Sequence, residues 1–372
     1  LRNNDLDANN FFNNAKGIPI PIYKQNDYGF SAGGPVYIPK IYHGRDKTFF
    51  FTAYEAFRNR AGATGASATI PSPEMLQGDF SKWVDNAGKL IPIYDPTTQV
   101  KNADGTFTRT QFPGNKIPSA RFDPLSVAAL KTFTTSGILT PNNGGVPGTA
   151  AYVQNNYLIN NGTQISPNTK FSVKGDHIFN EKHRISGYYG YNRQRQLPGA
   201  DGPSTLPGYY SNYNDLRRFS DVVRFSWDWT LSPTKLNHFY AGGNNWRENH
   251  DPPQATGVSG IHWKDKVCLA NVPDCDQNLL NVNFNSNGYT GWGGTANNGS
   301  ENTIYSYNDD FTWVKGAHTI KFGGMYQLGH YNGLGRQCIA GCVGFSFKQT
   351  GLPGDTNFTT AGGNPFASFL LG

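Results

Sequence analysis

Pairs of alternating apolar and polar segments, each pair joined by a tight turn, recur along this chain between long polar stretches. In the clearest segment, from Phe219 to Leu231, one parity is mostly aromatic or aliphatic and the other is mostly polar. Successive side chains of a β-strand point to opposite faces, so this segment predicts a strand with one apolar face. The turn at residues 232–234 leads into a return strand at residues 235–244. Short turns at one end and long loops at the other are typical of an outer-membrane β-barrel.

The composition allows this fold. The chain has 372 residues, of which 37% are hydrophobic and 14% aromatic, and its mean hydropathy is −0.55. A barrel strand needs an apolar residue only at every second position, so low overall hydropathy does not exclude a membrane location. The 44 glycines and 23 prolines favour strands and turns over helices. No stretch approaches the ~18 consecutive apolar residues of a membrane-spanning helix, so any span must be a strand.

The expected fold class is all-β: a partial antiparallel transmembrane β-barrel of about nine strands, with short periplasmic turns and long extracellular loops. The whole chain, residues 1–372, is predicted to be one partial barrel domain. Nine segments are predicted as strands: 28–39, 48–57, 170–179, 183–192, 219–231, 235–244, 303–314, 318–330 and 343–348. Four stretches are predicted as extracellular loops: 58–169, 193–216, 245–302 and 331–342.

Two local features refine this prediction. Within the first loop, Asp123 as N-cap and Pro124 at the first helical position predict a short helix that continues to Phe133. A strand of about ten residues, tilted by ~45°, covers ~24 Å along the membrane normal, so the predicted strands are long enough to span a bilayer.

Three tryptophans lie a few residues from tight turns: Trp227, Trp229 and Trp313. In a barrel they would form an aromatic girdle at one membrane interface. The alternative is that they are ordinary core aromatics of a soluble β-sandwich.

Two acidic residues share the parity of these tryptophans. Asp221 lies eight residues from Trp229, near the outer rim, where charge costs little. Asp309 lies only four residues from Trp313, near mid-bilayer, where an unpaired carboxylate would cost a few kcal/mol. We therefore expect a β-bulge beside Asp309 that turns it inward, or other protein that covers it. A regular strand with Asp309 outward would weaken the membrane interpretation.

Four cysteines form two close pairs within predicted loops, Cys268 with Cys275 and Cys338 with Cys342. Locally paired cysteines in an exported chain favour loop-closing disulfides. Free thiols and a zinc site remain alternatives, although the spacings do not match a zinc ribbon or finger.

No catalytic constellation is apparent. There is no G-x-S-x-G elbow, and the histidines lack the spacing of metal ligands, so we expect neither an enzyme nor a bound metal or cofactor. The net charge of +6 comes from scattered lysines and arginines rather than a basic stripe. We therefore expect no nucleic acid as a partner. The barrel prediction itself makes outer-membrane lipid the expected partner.

Aromatic residues on the predicted loops are the candidate substrate contacts, because such rings can stack on sugars or clamp an extended polymer: Tyr209, Tyr210, Trp246, Trp263, Tyr289 and Trp292. The alternative is that they pack the loops against each other. Four basic residues of inward parity are predicted to line the lumen and to pair with plug carboxylates or with Asp176 and Asp228: Lys174, Arg184, Arg224 and Lys321.

The early segments resemble a known family. Residues 26–40 (NDYGFSAGGPVYIPK) and 44–51 (GRDKTFFF) resemble the early barrel of Oar-like TonB-dependent outer-membrane receptors, which are common in soil bacteria such as acidobacteria. The opening LRNNDLDANNFF, residues 313–324 (WVKGAHTIKFGG) and residues 363–372 (GNPFASFLLG) are similar to the same family. The resemblance covers most of the chain in order.

The resemblance implies a plugged barrel of about 22 strands in the cell outer membrane. It implies passage of a large or scarce extracellular substrate with energy from the inner-membrane TonB–ExbB–ExbD complex. This sequence has no recognisable plug, TonB box or terminal strand ending in an aromatic, so we expect a fragment, and energy coupling is assigned to no residue in it.

Two alternatives remain open. The first is a secreted β-rich carbohydrate-binding or carbohydrate-active protein, whose loops would be of similar length at both ends and whose girdle-parity aromatics would be buried. The second is a passive porin or adhesin barrel without energy coupling.

Overall fold

Eight long strands form one antiparallel sheet in the computed structural model, which describes residues 1–15, 17, 19–62, 67–159, 163–196, 206–211, 214–285, 288–294 and 297–372. The strands lie side by side in chain order: β1 (Tyr23–Pro35), β2 (Thr48–Gly62), β3 (Asn168–Asn180), β4 (His183–Gln196), β5 (Asp215–Ser232), β6 (Lys235–Asp251), β7 (Asn297–Lys315) and β8 (His318–Arg336). Two short strands extend the sheet, Arg2–Asn3 beside β1 and Thr163–Ile165 beside β2.

The hairpin pattern predicted from the sequence is confirmed. Two residues separate β3 from β4, β5 from β6 and β7 from β8, and all three turns lie at the same end of the sheet. The β1–β2 connection at that end carries a small hairpin made of Tyr37–Ile38 and Tyr42–His43. The opposite end carries the long connections. This end, which we call the loop end, is the extracellular end of the predicted barrel.

Several predicted boundaries were wrong. The long strands continue past their predicted ends into the polar segments, so that β5 begins at Asp215 and β6 ends at Asp251. Backbone pairing continues there because polar side chains at a sheet rim do not prevent it. The predicted ninth barrel strand is absent from the sheet. Cys342–Phe345 instead pairs in parallel with Asn281–Phe284 among the loops.

The bulge predicted beside Asp309 is also absent. The registers of β7 with β6 and with β8 run without interruption through Asp309, which is exposed on the face that carries the tryptophans. The amide of Asn237 on β6 donates a hydrogen bond to the Asp309 carboxylate over 2.5 Å, so the carboxylate has a partner without a bulge. Gly324 faces it from β8 and adds no covering side chain. This position counts against lipid contact at mid-depth.

The sheet does not close into a barrel within the described residues. The order of its strands runs from Arg2–Asn3 through β1 to β8, and β8 pairs only with β7. The all-β, antiparallel fold class is confirmed as an open sheet of barrel-type hairpins.

The long connections do not lie as separate loops. Segments from residues 67–159, 206–211, 252–285, 288–294 and 338–372, which we call the cap, share one hydrophobic core. Aromatic rings dominate it, and its largest fully buried side chains include Phe80, Trp83, Phe133, Trp263, Trp292, Phe366 and Phe369. The sequence predicted loops with small elements of their own, and the structure shows that these elements pack together.

The cap contains two α-helices of seven residues or more, α1 (Pro124–Phe133) and α2 (Pro365–Leu371). Shorter α-helices are Phe11–Ala15, Ala150–Val153, Thr256–Ser259 and Phe358–Ala361. Short strand pairs are Ser67–Ala68 with Tyr157–Leu158 and Val100–Lys101 with Phe107–Thr108. Single 3-10 turns are Asn4–Leu6, Met75–Gln77, Pro96–Thr98, Pro113–Asn115, Ser119–Arg121, Thr134–Ser136, Gly208–Tyr210 and Phe347–Gln349.

Both longer helices begin with the same chemistry. The Asp123 carboxylate accepts hydrogen bonds from the first backbone N–H groups of α1, which confirms the predicted cap, and Asn364 does the same for α2. A proline follows each cap at the first helical position. Gly363 precedes α2 with φ +87°, and a Cβ there would lie 2.1 Å from the Phe347 carbonyl oxygen, so only glycine fits.

We predict that Phe366→Ala loosens the cap without dissolving the sheet. Phe366 is fully buried among cap aromatics, and truncating such a ring costs about 3–5 kcal/mol. Limited proteolysis of the folded protein should cut the cap segments faster while the heat-modifiable migration of the barrel persists. Phe107→Ala, at a partly exposed cap position, is the matched control. Equal protease resistance in the parent and both variants would contradict a shared cap core.

Candidate functional site: the two faces of the sheet and the cap

The register divides the sheet into two chemically different faces. The face that carries the three tryptophans, called the outward face, is apolar over most of its height, and many of its large side chains are exposed. Phe30 is 62% exposed, Phe322 60% and Tyr326 63%. A water-soluble sheet would bury such a surface. Outward positions of the same kind recur on every long strand except β6: Tyr28, Phe50, Val173, Tyr189, Val223, Phe225, Tyr305, Tyr307, Ile320 and Leu328.

The tryptophans lie on this outward face near the short turns. Trp227 and Trp229 stack with ring centroids 5.5 Å apart, and His183 of β4 stacks against both. Trp313 packs near the ammonium groups of Lys235 and Lys315, at 5.6 and 5.2 Å from its ring centroid. Aromatic rings with cations beside them suit a membrane–water interface, which is the position that the girdle prediction requires.

The outward face becomes charged at the loop end. Arg193 of β4 donates two hydrogen bonds to the Asp221 carboxylate, at 2.6 and 2.8 Å, and the Tyr189 hydroxyl donates a third. Above this pair, Arg195 and Arg217 both donate to Asp215. Asp221 therefore lies at a charged rim, as its distance from Trp229 predicted. The outward face changes from aromatic to ionic toward the loop end, as the outer surface of a membrane barrel does.

The opposite face, called the lumen face, is polar and forms shallow grooves. One groove of about 750 Å³ is lined by serines, glycines, polar side chains and apolar side chains such as Val222 and Ile304 from β3 to β8, and a second of about 700 Å³ joins it at Tyr188 and Val222. Lys174 and Arg184 both contact Asp176, at 3.0 and 3.3 Å, so this predicted lumen pairing is confirmed.

The other predicted ion pairs of the lumen face are not found among the described residues. Asp228 pairs with His238 at 2.5 Å rather than with a lysine or arginine. Arg224 lies 5.7 Å from the centre of the Tyr188 ring, and neither Arg224 nor Lys321 takes part in an ion pair within the described ranges. The lumen face therefore keeps two cationic side chains without a carboxylate from the described sheet.

The predicted substrate-contact aromatics separate into two groups. Tyr210, Trp263, Tyr289 and Trp292 are almost fully buried in the cap core, which is what the packing alternative expects. Burial raises the pKa of Tyr210 to about 12 and raises that of Tyr289 further, so both hydroxyls stay neutral.

The remaining two aromatics are partly accessible. Tyr209 packs edge-on against Trp263 at the cap surface. The prediction that Trp246 lies in a loop was wrong. Trp246 lies on β6 opposite Ser220 of β5, so it belongs to the lumen face. Substrate contact by these two residues stays a prediction.

The structure joins the cysteines in the predicted pairs. Cys268 bonds to Cys275 and Cys338 to Cys342, and no described cysteine is free. Each bridge closes a very short loop within the cap, where it restrains the unfolded chain. Gly341, between the second pair, comes close to the Leu269 side chain beside the first pair.

An ion pair also ties the cap together. Arg121 donates to both carboxylate oxygens of Asp95, at 2.6 and 3.0 Å, and these bonds hold the Asp95 pKa at about 2. Asn115 lies fully buried nearby and bonds to the backbone of Phe80, Ile91 and Ile93. Sequence reasoning missed this core, since its members lie in separate stretches without a regular period.

Two kinds of feature are absent from the described part of the chain. No three His, Cys, Asp or Glu side chains lie close enough together to hold a metal ion. No helix there combines the length and apolar character needed to cross a membrane.

Comparison with known proteins gives one match. The family model of the outer membrane beta barrel domain matches residues 1–372, the whole chain. No curated protein and no solved structure matches.

We predict opposite tolerance at two neighbouring residues of β5. Val223 is outward and 55% exposed, about 14 Å above Trp229 for a tilted strand, whereas the register puts Val222 on the lumen face. Val223→Arg should therefore cost about 2–4 kcal/mol of folding free energy in a bilayer, and Val222→Arg much less. Reversible urea unfolding in phospholipid vesicles measures both values. Equal losses would contradict the assignment of the two faces.

Proposed function

This chain belongs to the outer membrane beta barrel domain family, which places it in the bacterial outer membrane, and on that premise we propose that it forms part of the barrel wall of an Oar-like TonB-dependent receptor. Such a receptor takes up a large or scarce substrate that does not enter by passive diffusion. The outward face would contact lipid, the lumen face would surround a plug, and the cap would meet the substrate first.

The observation that carries the proposal is the open edge of the sheet. Eight strands are enough to close a small barrel, yet β1 and β8 do not pair. An unpaired edge within hydrocarbon leaves a row of backbone groups without hydrogen-bond partners, so further strands must complete the wall. Eight strands that remain open support a wide barrel, of the size that holds a plug.

The chemistry of the lumen face also supports a plug. Arg224 and Lys321 carry charge toward the lumen without a carboxylate from the described sheet. Acidic residues of a plug domain would neutralise them. In this scheme the TonB–ExbB–ExbD complex acts through the plug and its TonB box, and the residues described here form the passive wall.

The cap supplies the extracellular surface of the proposed receptor. A shared core, two disulfides and the Asp95–Arg121 pair hold its surface in a defined shape. Substrate would bind at that surface and then reach Trp246 and the lumen grooves once the plug moves.

The secreted carbohydrate-binding alternative is not favoured. It requires the outward aromatics to be buried, whereas Phe30 and Phe322 are each about 60% exposed. It also requires loops of similar length at both ends, whereas tight turns lie at one end and the cap at the other. A passive porin or adhesin barrel would have the same lipid-facing surface as the proposed receptor, but it would have no plug.

We predict that the full-length protein, purified from outer membranes and inserted in planar lipid bilayers, gives no steady ion conductance. Mild urea that displaces a plug should open large channels reversibly, because the wide lumen is then empty. A porin in the same bilayer is the positive control. Steady conductance of the untreated protein would overturn the plugged-receptor proposal in favour of a passive pore.

A further inference from the structure

Three cations at the loop end of β1 and β2, which we call the basic triad, lie together on the outward face. They are Lys24, Arg58 and Arg60. Lys24 and Arg60 are direct cross-strand partners, so their Cβ atoms lie about 5 Å apart on the same face. Arg58 is the next outward residue of β2. Like charges placed directly opposite each other destabilise a sheet unless an anion lies between them.

No carboxylate neutralises the triad in the described structure. None of the ion pairs among the described residues includes Lys24, Arg58 or Arg60. The outward positions of β1, β2 and β3 contain no Asp or Glu, and Asp27 and Glu55 point to the lumen face. The neighbouring residues 63–66 and 160–162 are uncharged in sequence.

The other rim arginines behave differently. Arg193 is held by Asp221, and Arg195 and Arg217 share Asp215. In those groups, the arginines and the carboxylates neutralise each other within the protein. The triad also lies near the loop end of its strands, above the aromatic part of the outward face. Unlike those arginines, it has no carboxylate partner within the described protein.

Arg58 is fixed in place although it has no carboxylate. Its guanidinium donates to the carbonyl oxygens of Phe57 and Asn168 and to the Thr169 hydroxyl, at 3.0, 2.7 and 3.0 Å. The same group lies 6.0 Å from the centre of the Tyr28 ring. Lys24 and Arg60 are exposed beside it. One cation is therefore preorganised and two are free to close on a ligand.

Apolar rings lie directly below the triad. Phe30 and Tyr54 stack with centroids 5.8 Å apart, and Phe30 and Tyr28 are both more than half exposed. A ligand that contacts both the basic triad and the rings below it needs an anionic group with several acceptor oxygens and an apolar tail on its membrane side. Phosphate suits clustered arginine and lysine donors.

We propose that the basic triad binds the phosphate of a phosphorylated glycolipid in the outer leaflet, with the acyl chains lying along Tyr28, Phe30 and Tyr54. The phosphate oxygens accept hydrogen bonds from Lys24 and Arg60 and lie near the fixed charge of Arg58. The site rests on the outer-membrane location of the chain and not on TonB-dependent transport, so the conductance result does not bear on it.

The test uses the full-length protein in detergent, titrated with diphosphoryl lipid A and followed by native mass spectrometry. The parent should retain lipid A, and the double variant Lys24→Gln, Arg60→Gln should lose at least tenfold in affinity, since two charge-assisted hydrogen bonds are removed. Arg60→Lys keeps the charge and should retain most of the binding. Lys89→Gln, Lys101→Gln removes two exposed charges from the cap and is the matched control.

Two further arms identify the ligand. Enzymatically dephosphorylated lipid A should bind weakly to the parent, and inorganic phosphate at the same phosphate concentration should not displace lipid A. Heat-modifiable migration verifies that each variant is folded. Undiminished lipid A binding by the folded double variant, equal binding of dephosphorylated lipid A, or displacement by inorganic phosphate would each overturn the proposal.

Discussion

The backbone ladder that joins β1 to β8 is the constraint on which the rest of the structure depends. Backbone groups in hydrocarbon have no water to bind, so each must pair with a neighbouring strand. The ladder fixes the register, and because side chains alternate, the register fixes which residues meet lipid and which meet the lumen. A shift by one residue would exchange Val222 with Val223 and place Arg224 on the outward face. The long, nearly continuous registers of these hairpins prevent that shift.

The ladder also explains the asymmetry between the two ends. Tight turns hold adjacent strands in register at one end, while the chain at the other end is free to build structure of its own. Segments 67–159 and 338–372 are far apart in sequence but meet there, because paired strands bring all loop ends to one side. A shared core then buries rings such as Trp292 and Phe369 that none of the segments could bury alone. The outcome is a shaped extracellular surface above a membrane wall.

Local signals in the sequence predicted what depends on near neighbours. Alternation predicted the hairpins and faces, and Asp123 with Pro124 predicted the start of α1. Contacts between distant segments were not predictable in this way. The partners of Trp263 and Trp292 lie in other loops. Asp309 stays in a regular strand because its carboxylate accepts a hydrogen bond from Asn237, a residue 72 positions away. The strand extensions at the rim were missed since their side chains are polar, and with them the outward arginines, although continuing the alternation past Phe57 would have found Arg58 and Arg60.

The most direct test of the account is whether the outward face contacts lipid. Single nitroxide labels placed in turn at residues 219–231 of the full-length protein in bilayers would report accessibility to oxygen and to a polar nickel complex. A membrane-facing sheet predicts a period of two, with odd positions from Val223 to Trp229 exposed to oxygen and shielded from nickel, and even positions the reverse. Accessibility without alternation, or odd positions open to nickel, would contradict a membrane-facing sheet.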